Sequence, residues 1–246
     1  MAGHSHWAGI KHKKAVVDSK RSKVWSKLSK AIIVAAKLGG GDPGMNARLR
    51  TAVADAKAVS MPRDNIERAI KKGIGELDGG NVEEMIYEGY GPGGVAVMCD
   101  IMTDNKNRTA PEIRKIFDVA GGKLGSTNCV AYLFERKGLV VVKNGQIPEE
   151  KLMELALELG AEDIQPQEGT TEIITLPENF SEVVEGLEKS NVAIELKEIM
   201  RIPSNTVDLD PETAKTVVKL LENLEEHDDV QSVSTNLKIT AEALEK

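Results

Sequence analysis

The sequence predicts an α+β multidomain protein: an N-terminal three-helix bundle followed by two α+β (ferredoxin-like) domains, one inserted into the other. Three observations predict this class. Apolar residues first recur at helical spacing, the pattern then changes to alternating strands and helices, and one later stretch contains a complete βαββαβ order. A chain of 246 residues is long enough for two or three such domains.

The N-terminal segment predicts three short amphipathic helices. In the first, over residues 19–38, Trp25 and Ile32 belong to an apolar stripe with a spacing of three or four residues. Three glycines and an Asp-Pro pair end this helix. A second helix is predicted over residues 46–59, and Pro62 suits the first position of a third.

Strands and helices alternate after the bundle. Residues 85–90 and 95–102 are predicted strands joined by a glycine-rich turn. A helix follows, with a predicted capping box at residues 109–112, and a further strand is predicted over residues 130–134. The complete βαββαβ set comes next, within residues 137–205.

The segments on either side of that set do not make complete domains. Neither fragment can bury a sheet face alone, so we expect them to join. The predicted domains are a basic arm with the helical bundle (1–78), a discontinuous α+β domain (79–136 with 206–246) and the inserted ferredoxin-like domain (137–205).

Charge is divided unevenly along the chain. The net charge is −7, yet residues 1–75 contain 16 Lys and Arg against 5 Asp and Glu, whereas the remainder contains 16 against 34. A polyanion is attracted to the first segment and repelled by most of the second. This division predicts nucleic acid, either DNA or RNA, as the partner.

The candidate phosphate contacts are cationic or amide side chains. On the first helix the lysines form a stripe nearly opposite the apolar stripe, which predicts that they face outward. Residues 104–109 form a polar run, read first as a capped loop and second as a source of donors to phosphate. The candidates are Lys11, Lys13, Lys14, Lys20, Lys23, Lys27, Lys30, Arg48, Arg50, Asn107 and Arg108.

No catalytic site, metal site or cofactor site is predicted. Residues 89–94 match G-x-G-x-x-G, but a strand follows instead of the helix that a dinucleotide site requires, so a hairpin turn is expected. His4 and His6 lack further ligands at a useful spacing. The acidic cluster at residues 222–229 has no positioned catalytic partner and is interpreted as a solvated helix face.

Composition places the chain among cytoplasmic proteins. Its N-terminus lacks the apolar segment of a secretory signal, and its longest apolar run, residues 31–36, is far too short to cross a membrane. The two cysteines are too few for a disulfide framework. We therefore expect a reducing compartment and no membrane partner.

Several motifs together resemble the YebC/PmpR family, over almost the whole chain. They lie at residues 1–7, 10–15, 48–52, 61–70, 86–94, 103–109 and 225–231. The departures are mild: Ser22, Trp25 and Asn128 stand where Gly, Phe and Gly are common.

The resemblance implies three domains and a role in gene expression. Bacterial members are usually described as DNA-binding transcriptional regulators. Mitochondrial relatives are translational activators, and some bacterial members look like ribosome-associated factors that assist difficult peptide synthesis. Besides this DNA or ribosomal RNA alternative, two other classes stay open: an enzyme with a cleft between the α+β domains, and a scaffold that docks through its acidic domains.

Overall fold

The structure, a computed structural model, describes residues 21–167 and 169–239. Its helices are α1 (Arg21–Gly39), α2 (Ala47–Ala58), α3 (Arg63–Gly73), α4 (Lys106–Val119), α5 (Glu149–Glu158), α6 (Phe180–Lys189) and α7 (Pro211–Glu225). Its strands are β1 (Glu83–Tyr90), β2 (Ala96–Thr103), β3 (Lys123–Leu124), β4 (Phe134–Lys143), β5 (Ala161–Pro166), β6 (Thr170–Thr175), β7 (Ile194–Pro203) and β8 (Val230–Thr235). Within this described part, no helix combines the length and apolar character needed to cross a membrane.

The strands form two four-stranded antiparallel sheets. One has the order β3-β1-β2-β8. Its strand β8 follows the inserted strands β4–β7 in the sequence, whereas β1, β2 and β3 precede them. The other, β5-β6-β4-β7, is built entirely from the inserted segment and has the split-βαβ arrangement. The predicted fold class is confirmed.

The chain divides into two compact units. Among the described residues, one unit contains 21–131 and 212–235, and the other contains 132–211 and 236–239. The first unit therefore holds the helical bundle together with the sheet that contains β1. The finer division into three domains stays a prediction.

Helix α1 is the centre of the bundle. It packs against α2, α3 and β2, and all five residues from Ile32 to Ala36 are buried. A helix with one apolar stripe buries only one face, so this run shows that α1 is enclosed on several sides. Val82, which directly precedes β1, is also buried in the same core.

The predicted strand at residues 130–134 is wrong. Its place in the sheet is taken by β3, and a 3₁₀ turn lies at Ala131–Leu133. Glu88 explains the difference, because its buried carboxylate accepts the backbone N–H groups of Asn128 (2.7 Å), Val130 (2.9 Å) and Ala131 (2.9 Å). Backbone donors used in this way cannot pair with a neighbouring strand.

Asn128 lies in the same loop with φ of 65°. This left-handed conformation strains most residues but is tolerated by Gly and, next best, by Asn. The conformation therefore explains why Asn can stand where Gly is common in the family.

The predicted capping box at residues 109–112 is also wrong. Helix α4 starts four residues earlier, and Asn105 is its cap, accepting the backbone N–H of Arg108 at 3.2 Å. Thr109 is buried inside the helix, where its hydroxyl bonds to other side chains. The polar run at 104–109 is thus mostly helical.

The hairpin turn predicted in place of a nucleotide loop is confirmed. β1 and β2 pair directly, and the turn between them closes with a bond from Gly91 N to Val95 O of 2.8 Å. Gly93 and Gly94 have φ values of 70° and 75°, which explains the need for glycine at both positions.

Candidate nucleic-acid interface and the polar junction

Three of the predicted phosphate-binding lysines contact the end of another helix. Each ammonium group donates to a backbone oxygen at or just beyond the C-terminus of α7: Lys23 to Glu226 (2.8 Å), Lys27 to Glu225 (2.5 Å) and Lys30 to Asp228 (3.0 Å). The last carbonyls of a helix lack partners and carry partial negative charge. Because α7 has no basic residue in its own last turn, α1 supplies the cations.

The surroundings of Lys27 change its titration. Burial lowers its pKa, and the negative charges of Glu225 and Asp228 only partly oppose that effect. A free phosphate-binding lysine at a surface does not have this environment. The contact therefore places Lys27 in a packed interface within the unit.

Asp229 is the centre of a buried cluster next to these lysines. Only 1% of the residue is exposed. Its carboxylate accepts an ion-paired hydrogen bond from Lys30, a bond of 2.7 Å from the hydroxyl of Thr109 and one of 2.9 Å from the guanidinium of Arg108. Thr103 adds a longer bond of 3.2 Å. We call Lys30, Thr103, Arg108, Thr109 and Asp229 the polar junction.

The polar junction fixes the charge of Asp229. Burial alone would raise the pKa of this carboxyl, but the hydrogen bonds from Lys30, Thr109 and Arg108 outweigh burial and hold its pKa far below the ordinary range. The carboxylate is therefore ionised at all physiological pH values. The interpretation of the acidic cluster as a solvated face is wrong for Asp229, although its neighbour Asp228 is exposed.

Arg108 links the polar junction to the surface. Its Nη2 contacts Asp229 at 2.9 Å and Asp104 at 3.1 Å, while 45% of its side chain stays exposed. The hydrogen bond with Asp229 is the main reason that its pKa is raised further. The same residue thus stabilises the fold and presents part of its guanidinium to solvent.

A group of possible metal ligands lies beside this cluster, but it does not suit a metal. Ligand atoms of Glu112, His227 and Asp229 lie within 4.8 Å of one another. However, His227 Nε2 already contacts Glu112 at 3.0 Å, and its Nδ1 accepts the backbone N–H of Asp229 at 3.1 Å. The Asp229 oxygens are occupied by Lys30 and Arg108, whose positive charges oppose a cation.

The other predicted site residues are spread over the structure. Lys11, Lys13, Lys14 and Lys20 lie outside the described residues. Arg48 is ion-paired with Glu84. Arg50 is exposed at α2, where it donates to Pro43 O at 2.9 Å. Asn107 is exposed in the first turn of α4.

The structure also shows exposed cations that were not among the predicted site residues. Lys57 on α2, and Arg68 and Lys71 on α3, are exposed, and no carboxylate of the described residues forms an ion pair with them. Arg68 and Lys71 lie one turn apart on the side of α3 away from the buried residues Ile66 and Ala69, and this helical spacing was the available signal.

Two family models match most of the chain. A family model described as the TACO1/YebC protein N-terminal domain matches residues 5–76, and one described as the TACO1/YebC second and third domain matches residues 82–237. The chain belongs to the TACO1/YebC family. The resemblance drawn from its motifs is thereby confirmed.

Curated members of the family are similar over their full length. A probable transcriptional regulatory protein of Rhodopirellula baltica is 57% identical over 245 residues, covering 99% of both chains. One of Natranaerobius thermophilus is 58% identical, covering 100% of this chain and 99% of the relative. A crystal structure of a conserved hypothetical protein from Aquifex aeolicus has a TM-score of 0.84 and 56% identity, covering 98% of this chain and 100% of that one.

Proposed function

We propose that the protein is a cytoplasmic regulator of gene expression that binds nucleic acid through its helical bundle, and that it is not an enzyme. The names of the curated relatives, probable transcriptional regulatory proteins, support a regulatory role. The surplus of 16 Lys and Arg over 5 Asp and Glu in residues 1–75 supports a polyanionic partner.

The observation that carries the proposal is the set of exposed cations on α2 and α3. Lys57, Arg68 and Lys71 face solvent with no ion-pair partner among the described residues. Asp64 and Glu67 are exposed on the same helix, but neither forms an ion pair with Arg68 or Lys71. Cationic side chains without an ion-pair partner are suited to phosphate groups, which release counterions when Lys or Arg binds them.

The predicted site residues then divide into those that stabilise the fold and those proposed to contact phosphate. Lys23, Lys27 and Lys30 bind the end of α7, so their main role in the proposal is to hold the bundle against the sheet within the same unit. Arg50, Asn107 and the exposed part of Arg108 are proposed as phosphate contacts in addition to the α2–α3 cations. The arm lysines before residue 21 are proposed as further contacts.

Duplex DNA is the proposed partner, and structured RNA is the alternative that the same charges also fit. A binding experiment separates them. Fluorescence anisotropy would compare a random duplex, genomic promoter fragments and ribosomal RNA hairpins, and sucrose-gradient sedimentation would test whether the protein travels with ribosomes. Preferred binding to particular duplex sequences supports the DNA version.

The opposite result overturns that version. Weak discrimination among duplexes, together with co-sedimentation with ribosomes, would assign the protein to translation.

A charge-matched pair of variants checks the surface in either case. Arg68→Glu with Lys71→Glu should weaken binding at least about tenfold, whereas Lys151→Glu with Lys189→Glu, in the other unit, should change it little. Equal losses in both double variants would contradict the proposed surface.

A further inference from the structure

The outer side of α5 carries exposed apolar side chains. Met153 and Leu157 lie one turn apart and are 37% and 57% exposed, while Leu152 and Ala156, on the core-facing side of the helix, are buried. Leu176 is also exposed. It follows Thr175, which pairs with Ala161 just beyond α5, so it belongs to the same end of the unit.

Carboxylates lie beside this apolar strip. Glu150, Glu154 and Glu158 recur every four residues on the exposed side of α5, and Glu178 is exposed in the loop after Leu176. None of these four glutamates forms an ion pair with a cation of the described residues. We call Glu150, Met153, Glu154, Leu157, Glu158 and Leu176 the α5 outer surface.

This arrangement is unfavourable for the helix itself. Like charges four residues apart repel each other, and Glu158 lies at the negative end of the helix macrodipole, where α5 has no basic residue. The exposed Leu157 adds an apolar group in water at the same place. Local features that cost stability together, without a compensating gain inside the fold, are typical of functional surfaces.

We propose that the α5 outer surface binds a basic amphipathic helix of a partner protein. The strip of Met153 and Leu157 matches the apolar positions that recur every three to four residues on such a helix. Methionine adapts readily to different partner side chains. The glutamates next to the strip pair with lysines or arginines beside those apolar positions and repel nucleic acid.

This inference goes beyond the proposed function because it adds a protein partner with its own site. The cations proposed to bind nucleic acid belong to one compact unit, and the α5 outer surface belongs to the other. The two contacts therefore use different residues and opposite charge. A variant of the α5 outer surface should leave nucleic-acid binding unchanged, so the two proposals can fail separately.

A defined peptide probe tests the α5 outer surface with the full-length protein. The probe is a helical peptide of leucine and lysine with its leucines on one face, and its control is a peptide of the same composition with the order scrambled. We expect the amphipathic peptide to bind at least about tenfold more tightly, because only it can bury its leucines on the strip. NMR titration should place the largest shifts on α5. Equal affinity for the two peptides would overturn the proposal, since it would show attraction by bulk charge alone.

Variants locate the contact. Leu157→Ser and the pair Glu154→Gln with Glu158→Gln should each reduce binding of the amphipathic peptide about tenfold. Two controls should have no effect: Val119→Ser, an apolar position on α4 that is more exposed than Leu157, and Glu182→Gln on α6. Loss of affinity in the controls would overturn the assignment of the site.

A second copy of the chain is the other occupant to test. Analytical ultracentrifugation tests for a concentration-dependent dimer. If a dimer formed and Leu157→Ser abolished it, the α5 outer surface would be assigned to self-association instead of to a partner helix. In cells, a photocrosslinking amino acid at position 153 should attach to a segment that is basic and amphipathic. Attachment only to acidic segments would contradict the charge argument.

Discussion

Lys30 forms an ion pair with Asp229, although the two residues are 199 positions apart in the chain. The pair is buried, with 16% of the lysine side chain and 2% of the aspartate side chain exposed. It connects α1 to the residues that precede β8. A lysine from the basic end of the sequence is therefore used to stabilise the fold, and its neighbours Lys23 and Lys27 act on the same segment.

Removing Lys30 should destabilise the protein strongly. Lys30→Met leaves the buried carboxylate with only part of its compensating charge, so we expect the free energy of unfolding to fall by about 3 kcal/mol. Urea denaturation followed by circular dichroism measures the change. Lys57→Met is the control, because Lys57 is exposed without an ion-pair partner among the described residues, and it should change stability by less than about 0.5 kcal/mol. A similar loss in both variants would contradict the role of the pair.

The contribution of Asp229 should disappear in acid. Its pKa in the folded protein is held far below that of an unfolded aspartate, so the ionised carboxylate stabilises the fold fully above the unfolded pKa of about 3.9. The contribution is lost as pH falls from there toward the folded pKa. The difference in unfolding free energy between the wild type and Asp229→Asn should thus be constant above about pH 5 and shrink below about pH 4. A difference that grows on acidification would contradict the pKa direction.

Lys23 and Lys27 should matter more for stability than for nucleic-acid affinity. Lys23→Gln and Lys27→Gln each remove a cation from the C-terminus of α7, and each should cost about 0.5–1 kcal/mol. The double variant should keep most of its affinity for nucleic acid, as anisotropy would show. If it instead lost as much affinity as Arg68→Glu with Lys71→Glu while its stability stayed unchanged, the lysines would be phosphate contacts after all.

Glu88 should control the loop at residues 125–131. Its carboxylate accepts three backbone N–H groups, and Glu88→Gln replaces an ionised acceptor with a neutral amide that also carries donors. We expect a loss of about 2 kcal/mol and faster hydrogen exchange at the amides of Asn128, Val130 and Ala131. Glu83→Gln, at an exposed position of β1, is the control. Unchanged exchange in Glu88→Gln would contradict this account of the loop.

Periodicity was sufficient to predict the fold class. The apolar spacing predicted the three helices of the bundle and the helix after β2, and the incomplete fragments on either side of the βαββαβ set predicted the insertion. The errors came from side chains that act over long range. Nothing local in residues 130–134 shows that Glu88, some 40 positions earlier, will bind their backbone.

The errors at the candidate site have the same cause, namely contacts between residues far apart in the sequence. The lysine stripe on α1 was recognised from spacing, but spacing cannot distinguish a stripe that faces solvent from one that contacts the end of a distant helix. The acidic cluster at 222–229 likewise looked solvated, because its partners Lys30 and Arg108 lie far away in sequence. By contrast, the exposure of Arg68 and Lys71 follows from local helical period alone and could have been predicted.

The salt dependence of nucleic-acid binding tests the central claim most directly. The logarithm of the association constant for duplex DNA should fall linearly with the logarithm of salt concentration, with a slope of about −0.9 per phosphate contact. If Arg68 and Lys71 contact phosphates, Arg68→Gln with Lys71→Gln should make the slope shallower by about 1.8, whereas Lys151→Gln with Lys189→Gln should leave it unchanged. An unchanged slope in the Arg68 and Lys71 variant would contradict binding through the α2–α3 surface.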